Sequence, residues 1–165
     1  PRRIVSRIRR DTRFTKDKSP YRSHMWLSFH PMSKPKWACF GLYYDISPDC
    51  SCYGGGFYDS DPARARWMRA LLLRRQRELV QILTDSAFAA HYRILGEDYK
   101  RIEIPEELHP ALRDLYRKKS FYVEHNDGLD LRISRPEYAQ EIGEGMLLLK
   151  PLYQLLTNEY GDFAE

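Results

Sequence analysis

Over residues 24–30 and 37–47 the apolar side chains recur at every second position, and beyond Asp61-Pro62 they recur at every third or fourth. A chain patterned this way places strands first and helices second. That points to an α+β fold, an antiparallel sheet with helices packed on one face. Met25, Leu27 and Phe29 alternate with His24, Trp26, Ser28 and His30, which predicts a strand over 24–30 with one apolar face. Ala38, Phe40, Leu42, Tyr44 and Ile46 share a side of a second strand over 37–47, after a polar connection at 31–36. Ser47-Pro48-Asp49 is a turn signal returning the chain into a third strand over 50–58, so a β-meander is the economical topology. Gly54-Gly55-Gly56 inside that third strand predicts a bulge, or a close approach by another backbone or a ligand.

Asp61 and Pro62 open the helical part as N-cap and first helical residue. Trp67, Met68, Leu71, Leu72, Leu79, Ile82 and Leu83 keep helical spacing down to about Thr84. A shorter helix is expected over 85–95, ended by Gly96 at its C-terminal cap position. Residues 110–118 give a third helix with Leu112, Leu115 and Tyr116 inward, and 120–125 are a further candidate strand. Ser134-Arg135-Pro136-Glu137 has the form of a capping box opening a last long helix to about Tyr160, in which Gly143 and Gly145 mark a kink or close packing.

A chain of 165 residues with 42% apolar content is long enough to bury one core, and a single domain over 1–165 is expected. Its longest purely apolar runs, Ala70-Leu71-Leu72-Leu73 and Met146-Leu147-Leu148-Leu149, fall far short of the roughly 18–20 residues of a membrane span, so no membrane is expected. The opening Pro-Arg-Arg is no secretory signal, and a cytoplasmic setting is the expectation. Cys39, Cys50 and Cys52 form an odd set without a disulfide framework. Cys50-x-Cys52 has no second Cys/His pair at finger-like spacing, so neither a metal nor another cofactor is expected.

The formal charge of +4 is unevenly distributed. Residues 1–36 hold eleven Lys and Arg against two Asp, a net of +9, and the remainder carries a net of −5. Local fields of this kind attract phosphates, nucleic acid or acidic partners. Within that segment, residues 7–21 place six cations and two carboxylates in fifteen positions. Extended parity over residues 2–13 puts Arg10 on the side of Ile4 and Ile8, where a part-buried guanidinium needs a carboxylate; Asp17 and Asp11 are the nearest. Residues 15–21 are a loop, because Ser19-Pro20 prevents helix. Arg10, Arg13 and Lys18 are candidate anion ligands, with Arg supplying planar forks and Lys a point charge, and the backbone of Gly55 is a further candidate. Asp11, Asp17, Tyr21 and His24 are candidates for moving protons. The competing structural reading pairs Arg10 with Asp17 and Arg13 with Asp11 as a knot tying the loop to the sheet.

Weaker signals accompany this motif. Arg64, Arg66, Arg69, Arg74, Arg75 and Arg77 flank the apolar stripe of the first helix and suggest a solvated face, or nucleic-acid contact. Trp26, Trp37, Tyr43, Tyr53 and Tyr58 on strands beside the basic region suggest a base-stacking platform or ordinary core packing. His91, His109 and His125 sit on separate elements and are expected to be isolated surface or capping residues. There is no phosphate-loop glycine pattern and no G-x-S-x-G elbow.

The pattern R-x-x-R-D-x-R-F-x-x-D-K-x-x-Y, filled here by Arg7, Arg10, Asp11, Arg13, Phe14, Asp17, Lys18 and Tyr21, resembles the signature of the family catalogued as domain of unknown function 2461. The likeness continues through Tyr43-Tyr44-Asp45-Ile46-Ser47-Pro48-Asp49, Gly54-Gly55-Gly56-Phe57-Tyr58, Lys118-Lys119-Ser120 and the C-terminal helix. It brings no activity with it. It implies an additional N-terminal segment, rich in helix, that this chain lacks. Three functional readings follow. The first is a phosphate or carboxylate site, with or without chemistry, built on residues 7–21. The second is a nucleic-acid-binding module without catalysis, and the third is an interaction domain in which the motif is an ion-pair knot. A pocket requires Arg10 and Lys18 to converge; a nucleic-acid surface should continue into the helix arginines; a knot should leave Arg10 paired and buried. Oligomeric state is open.

Overall fold

Three strands form from the alternating segments: β1 Met25–Phe29, β2 Gly41–Ile46 and β3 Ser51–Phe57. The computed structural model describes residues 4–31, 39–57, 60–128 and 131–161. The three strands make the expected antiparallel meander, with Leu27 opposite Tyr44 and Tyr44 opposite Tyr53. Two further strands come from the helical half of the chain. β4 Arg93–Leu95 and β5 Phe121–Asn126 complete an antiparallel five-stranded sheet in the order β1-β2-β3-β5-β4. The fold is α+β with helices on one face.

β3 is the central strand, and all seven of its residues are buried. The expected bulge at its glycines does not form: Gly54 pairs with Tyr43 and Glu124, Gly55 with Leu42 and Val123, and Gly56 with Gly41 and Tyr122 in unbroken register. What the glycines allow is close approach by β5. A Cβ on Gly54 would lie 1.9 Å from the Val123 carbonyl oxygen, so only the missing side chain lets the two backbones come this near.

Asp61 caps α1 Pro62–Arg74 by accepting from the Ala63 N–H at 2.8 Å, as the Asp-Pro step predicts. The long helix expected to Thr84 is interrupted at Arg75, and α2 Gln76–Leu83 follows. Asp85 then caps α3 Ser86–His91 through the N–H groups of Ala87 and Phe88. The helix expected to reach Leu95 stops at His91 because residues 93–95 pair with β5 instead. Gly96 ends β4 rather than a helix; at φ +133° it packs so tightly that a Cβ would stand 1.9 Å from the Ser120 carbonyl oxygen.

A 3₁₀ turn Pro110–Leu112 leads into the single turn α4 Arg113–Tyr116, in place of the longer helix expected over 110–118. The last helix is two, α5 Pro136–Leu147 and α6 Lys150–Gly161. Its expected capping box is not made. Ser134 Oγ donates to the Leu131 carbonyl at 2.8 Å, and Arg135 occupies the N-cap without a side-chain bond.

The core lies between the sheet and α1, α2 and α6. Phe57 meets Trp67 and Tyr160 at ring-centroid distances of 5.9 and 5.0 Å, and Leu71, Leu72, Leu79, Leu149, Leu152 and Leu156 are wholly buried. Each such side chain contributes about 1.5–3 kcal/mol of apolar burial. No described helix is long and apolar enough to cross a membrane.

Candidate functional site

Residues 4–22 leave the β1 edge of the sheet as a two-legged arm. At its base Ser6 N–H donates to the Trp26 carbonyl at 2.8 Å and Ser28 N–H to the Ile4 carbonyl at 2.9 Å. Farther out, Arg10 N–H donates to the Pro20 carbonyl and Arg22 N–H to the Ile8 carbonyl, both at 3.0 Å. Isolated bridges join Val5 to Leu27 and Arg9 to Tyr21, so the second leg carries two extra residues between them and the ladder is irregular.

The tip, residues 11–19, is held by its own charges. Asp11 takes a two-pronged bond from Arg13, Nε at 2.9 Å and a terminal nitrogen at 2.7 Å, and also accepts the Arg13 N–H. Asp17 pairs with Arg10 and accepts the Ser19 N–H at 2.9 Å, while Thr15 Oγ1 donates to its carbonyl at 2.8 Å. Lys18 Nζ donates to the Thr12 carbonyl at 2.7 Å. The Arg13 bonds hold the Asp11 carboxyl below its usual range, and the Ser19 bonds, then Arg10, do the same for Asp17. Both stay ionised at neutral pH and shape the loop.

The structure thus gathers Arg10, Asp11, Arg13, Asp17 and Lys18 in one loop, paired with each other or with backbone. Tyr21 stands exposed beside Arg9. His24 lies apart, its Nδ1 3.1 Å from Asp45 Oδ2 on β2. Gly55 is buried within β3, where a Cβ would meet Phe40 at 2.6 Å and Leu42 at 2.9 Å.

Beyond those pairs a surplus of positive charge remains. Arg7, Arg9 and Lys16 are exposed and have no carboxylate partner among the described residues. Arg22 lies 4.9 Å over the Trp26 ring with its Nε buried and unbonded. Apolar side chains are exposed here too: Phe14 is 89% accessible with Arg13 5.5 Å from its ring centroid, and Ile8 and Tyr21 also face solvent.

The basic surface does not extend across the helix arginines, which largely have internal partners, contrary to the expected solvated face. Arg64 is buried over Phe57, and Arg69 sits 5.1 Å over Tyr99. Arg74 and Arg75 both bind Glu159 on α6, at 2.5 and 2.7 Å, whereas Arg66 and Arg77 stand exposed with no such contact to another of the described residues. Nor do the strand aromatics among the described residues form a platform. Tyr43 and Tyr53 are buried, Trp26 stacks with Arg22, and Trp37 and Tyr58 lie outside the described residues.

A second polar cluster escaped the sequence, because its members are distant in the chain. His91 and His125, expected to be isolated, stack face to face with centroids 3.9 Å apart and planes 8° from parallel. Tyr53 Oη lies 2.7 Å from His91 Nε2, and His125 Nε2 lies 3.2 Å from Asp127 Oδ1. Asp127 also accepts from the Tyr138 hydroxyl at 2.8 Å and from Arg132 at 3.0 Å. Burial alone pushes the Asp127 carboxyl up, but its bonds from Tyr138, His125 and Arg132 together bring it below its ordinary value. Burial, with Asp127 adding to it, pushes the Tyr138 hydroxyl up to about 12. Among the described residues no group of three or more His, Cys, Asp or Glu could hold a metal. A groove of about 520 Å³ between α3, β4 and α4 is lined by Phe88, Tyr92, Arg93, Asp114, Arg117 and Lys118 among others, and by none of the arm residues.

No curated protein and no solved structure matches this chain. A family model described as conserved hypothetical protein (DUF2461) matches residues 1–155, nearly the whole length and the charged arm with it. The chain therefore belongs to the family of domain of unknown function 2461.

Proposed function

We propose that the arm binds a phosphate-bearing polyanion on its surface, with Arg7, Arg9 and Lys16 contacting phosphates and the paired tip giving the arm its shape. The observation that carries this reading is the surplus itself. Seven Lys and Arg stand against two Asp over residues 4–22, and both Asp already have Arg partners. Like charges held side by side on an exposed arm repel each other, and an external anion relieves that repulsion. Arg10, Arg13 and Lys18 add to the field without leaving their partners. Arg7, Arg9 and Lys16 are exposed and spread along the arm, which favours an extended ligand such as a nucleic-acid strand over one small anion. The tip pairs favour the structural reading of those residues, and the two roles are compatible.

A labelled single strand in a fluorescence-anisotropy titration tests this. Three phosphate contacts predict a log–log salt slope of about −2 for a single strand. The triple variant Arg7→Ala, Arg9→Ala, Lys16→Ala should keep its melting temperature and lose most of that slope. Binding that survives the triple variant with an unchanged slope removes the arm as the site. Vesicles of anionic lipid, run alongside, separate a strand-binding arm from one that answers to any anionic surface.

A further inference from the structure

His91 ends α3 and His125 lies near the end of β5, yet their rings stack at 3.9 Å with almost parallel planes. The hydrogen bonds around the pair dictate where protons sit. His125 Nδ1 is 2.8 Å from the His91 carbonyl oxygen, which can only accept, and its Nε2 faces the Asp127 carboxylate, which when ionised can only accept. Both ring nitrogens of His125 thus face oxygen acceptors. His91 has the opposite requirement. Burial, with Asp127 adding to it, keeps the Tyr53 hydroxyl protonated far above neutral pH, so Tyr53 donates and His91 Nε2 must accept. His91 that accepts at Nε2 is neutral, and it lies flat on the His125 ring, so a charge on both rings at once would be repulsive.

This stack is no acid–base pair for a substrate. Rings in van der Waals contact leave no space for a reacting group between them, and three of the four ring nitrogens have protein partners. What it joins is structural. Tyr53 belongs to β3, His125 to β5, His91 to α3, and Gly145 of α5 sits against Tyr53 and His91 so closely that a Cβ would lie 2.2 Å from the Tyr53 oxygen and 2.8 Å from His91 Nε2. Tyr92, next to His91, donates to the Gly145 carbonyl at 3.0 Å.

We propose that the stacked His91–His125 pair is a pH-operated latch: a proton added to His91 loosens the seating of α3 and α5 on the sheet. A charge on His91 would sit 3.9 Å from the His125 ring, which opposes it. It would also reverse the Tyr53 bond, leaving the buried Tyr53 hydroxyl proton without an acceptor among the described residues. The charged and titratable groups around His91 are Tyr53 from β3, His125 from β5, Asp127 from the turn that follows, and Tyr92 beside it. Arg132, Tyr138 and Glu141 act through Asp127 and its ion pairs. Burial first and His125 second hold the His91 imidazole below its ordinary value, with Asp127 opposing them in part.

The sign of the effect follows. Above the ordinary histidine value of about 6.5 both folded and unfolded chains carry neutral His91, and its contribution is constant. As pH falls below that value the unfolded chain takes up a proton that the folded chain refuses, so stability drops until the folded His91 titrates.

Urea unfolding of the whole chain at pH 7.0, 6.0 and 5.0 reads this directly. The unfolding constant should rise several-fold between pH 6.5 and 5.0, approaching tenfold per pH unit at most for one proton. His91→Phe keeps a flat ring on His125 and cannot titrate, so most of that rise should vanish even though the variant starts less stable. An equal rise in wild type and His91→Phe overturns the latch, as does a wild type whose stability is flat over the window. NMR titration of the wild type serves if His91→Phe does not fold. A His91 ring that titrates below the ordinary value, together with the Tyr53 and Gly145 amides in the same step, supports the latch. A ring titrating at or above it, or a Gly145 amide that stays put, overturns it.

Discussion

Two glycines on one helix make opposite predictions for the same substitution. Gly143 and Gly145 both lie in α5, where alanine is preferred over glycine by about 0.5–1 kcal/mol. A Cβ at Gly143 would meet nothing within 4 Å, so Gly143→Ala keeps that whole gain. At Gly145 the new methyl would lie 2.2 Å from the Tyr53 oxygen and 2.8 Å from His91 Nε2. Those atoms are bonded to each other and Tyr53 is buried, so the methyl has no freely swinging chain end to push aside. Overpacking of this kind costs about 1–3 kcal/mol, and parting Tyr53 from His91 adds about 0.5–1.5 kcal/mol. Against the propensity gain, Gly145→Ala should lose about 0.5–4 kcal/mol. For a chain of this size that is a fall in Tm of about 1–16 °C, with Gly143→Ala rising by about 1–4 °C. Thermal melts followed by circular dichroism, with urea titrations beside them, measure both. A Gly145→Ala protein as stable as Gly143→Ala would refute the packing argument and, with it, the tight seating of α5 on the histidine pair.

The sheet and the helix layer each offer a further check. Gly54→Ala should cost more than about 3 kcal/mol or prevent folding, because its Cβ meets backbone rather than a side chain able to give way; a soluble, cooperatively melting variant within 1 °C of wild type would contradict the register described for β3 and β5. Glu159, largely buried, ties Arg74 and Arg75 to α6, and the Arg74 bond first, then Arg75, hold its carboxyl below its usual range. Because both guanidiniums are partly exposed, Glu159→Gln should cost only about 1 kcal/mol in urea unfolding and less at high salt; a midpoint unchanged at low salt would mean that the pair contributes nothing.

What the sequence disclosed was what is local. Alternation around Leu27 and Tyr44 placed two strands, the Ser47-Pro48-Asp49 turn signal a third, and Asp61-Pro62 a helix start, because each depends on residues within one turn or one strand. The Arg10–Asp17 and Arg13–Asp11 pairs were legible for the same reason. Non-local competition defeated the rest. Arg93-Ile94-Leu95 continues a helical run in the sequence but pairs with β5, some thirty residues on. The break at Arg75 accompanies a guanidinium bound to Glu159, 84 residues away. Ser134 has the residue type for a cap, yet its hydroxyl bonds back to Leu131. His91 and His125 carry no shared motif; the β4–β5 pairing, which sets Arg93 opposite Glu124, and the β3–β5 pairing, which sets His125 beside Tyr53, bring them together. The surplus of charge in the first fifth of the chain was visible at once, but that it would stand on an arm apart from the helix arginines was not.

Amide chemical-shift mapping with a short single-stranded oligonucleotide at low salt locates the bound anion residue by residue. The account predicts that the amides of Arg7, Arg9 and Lys16 move first and together, with Thr15 and Phe14 close behind, and that the shifts collapse as salt is raised. Shifts that leave residues 4–22 untouched and gather instead around Arg66 and Arg77 of α1 and α2 would contradict it.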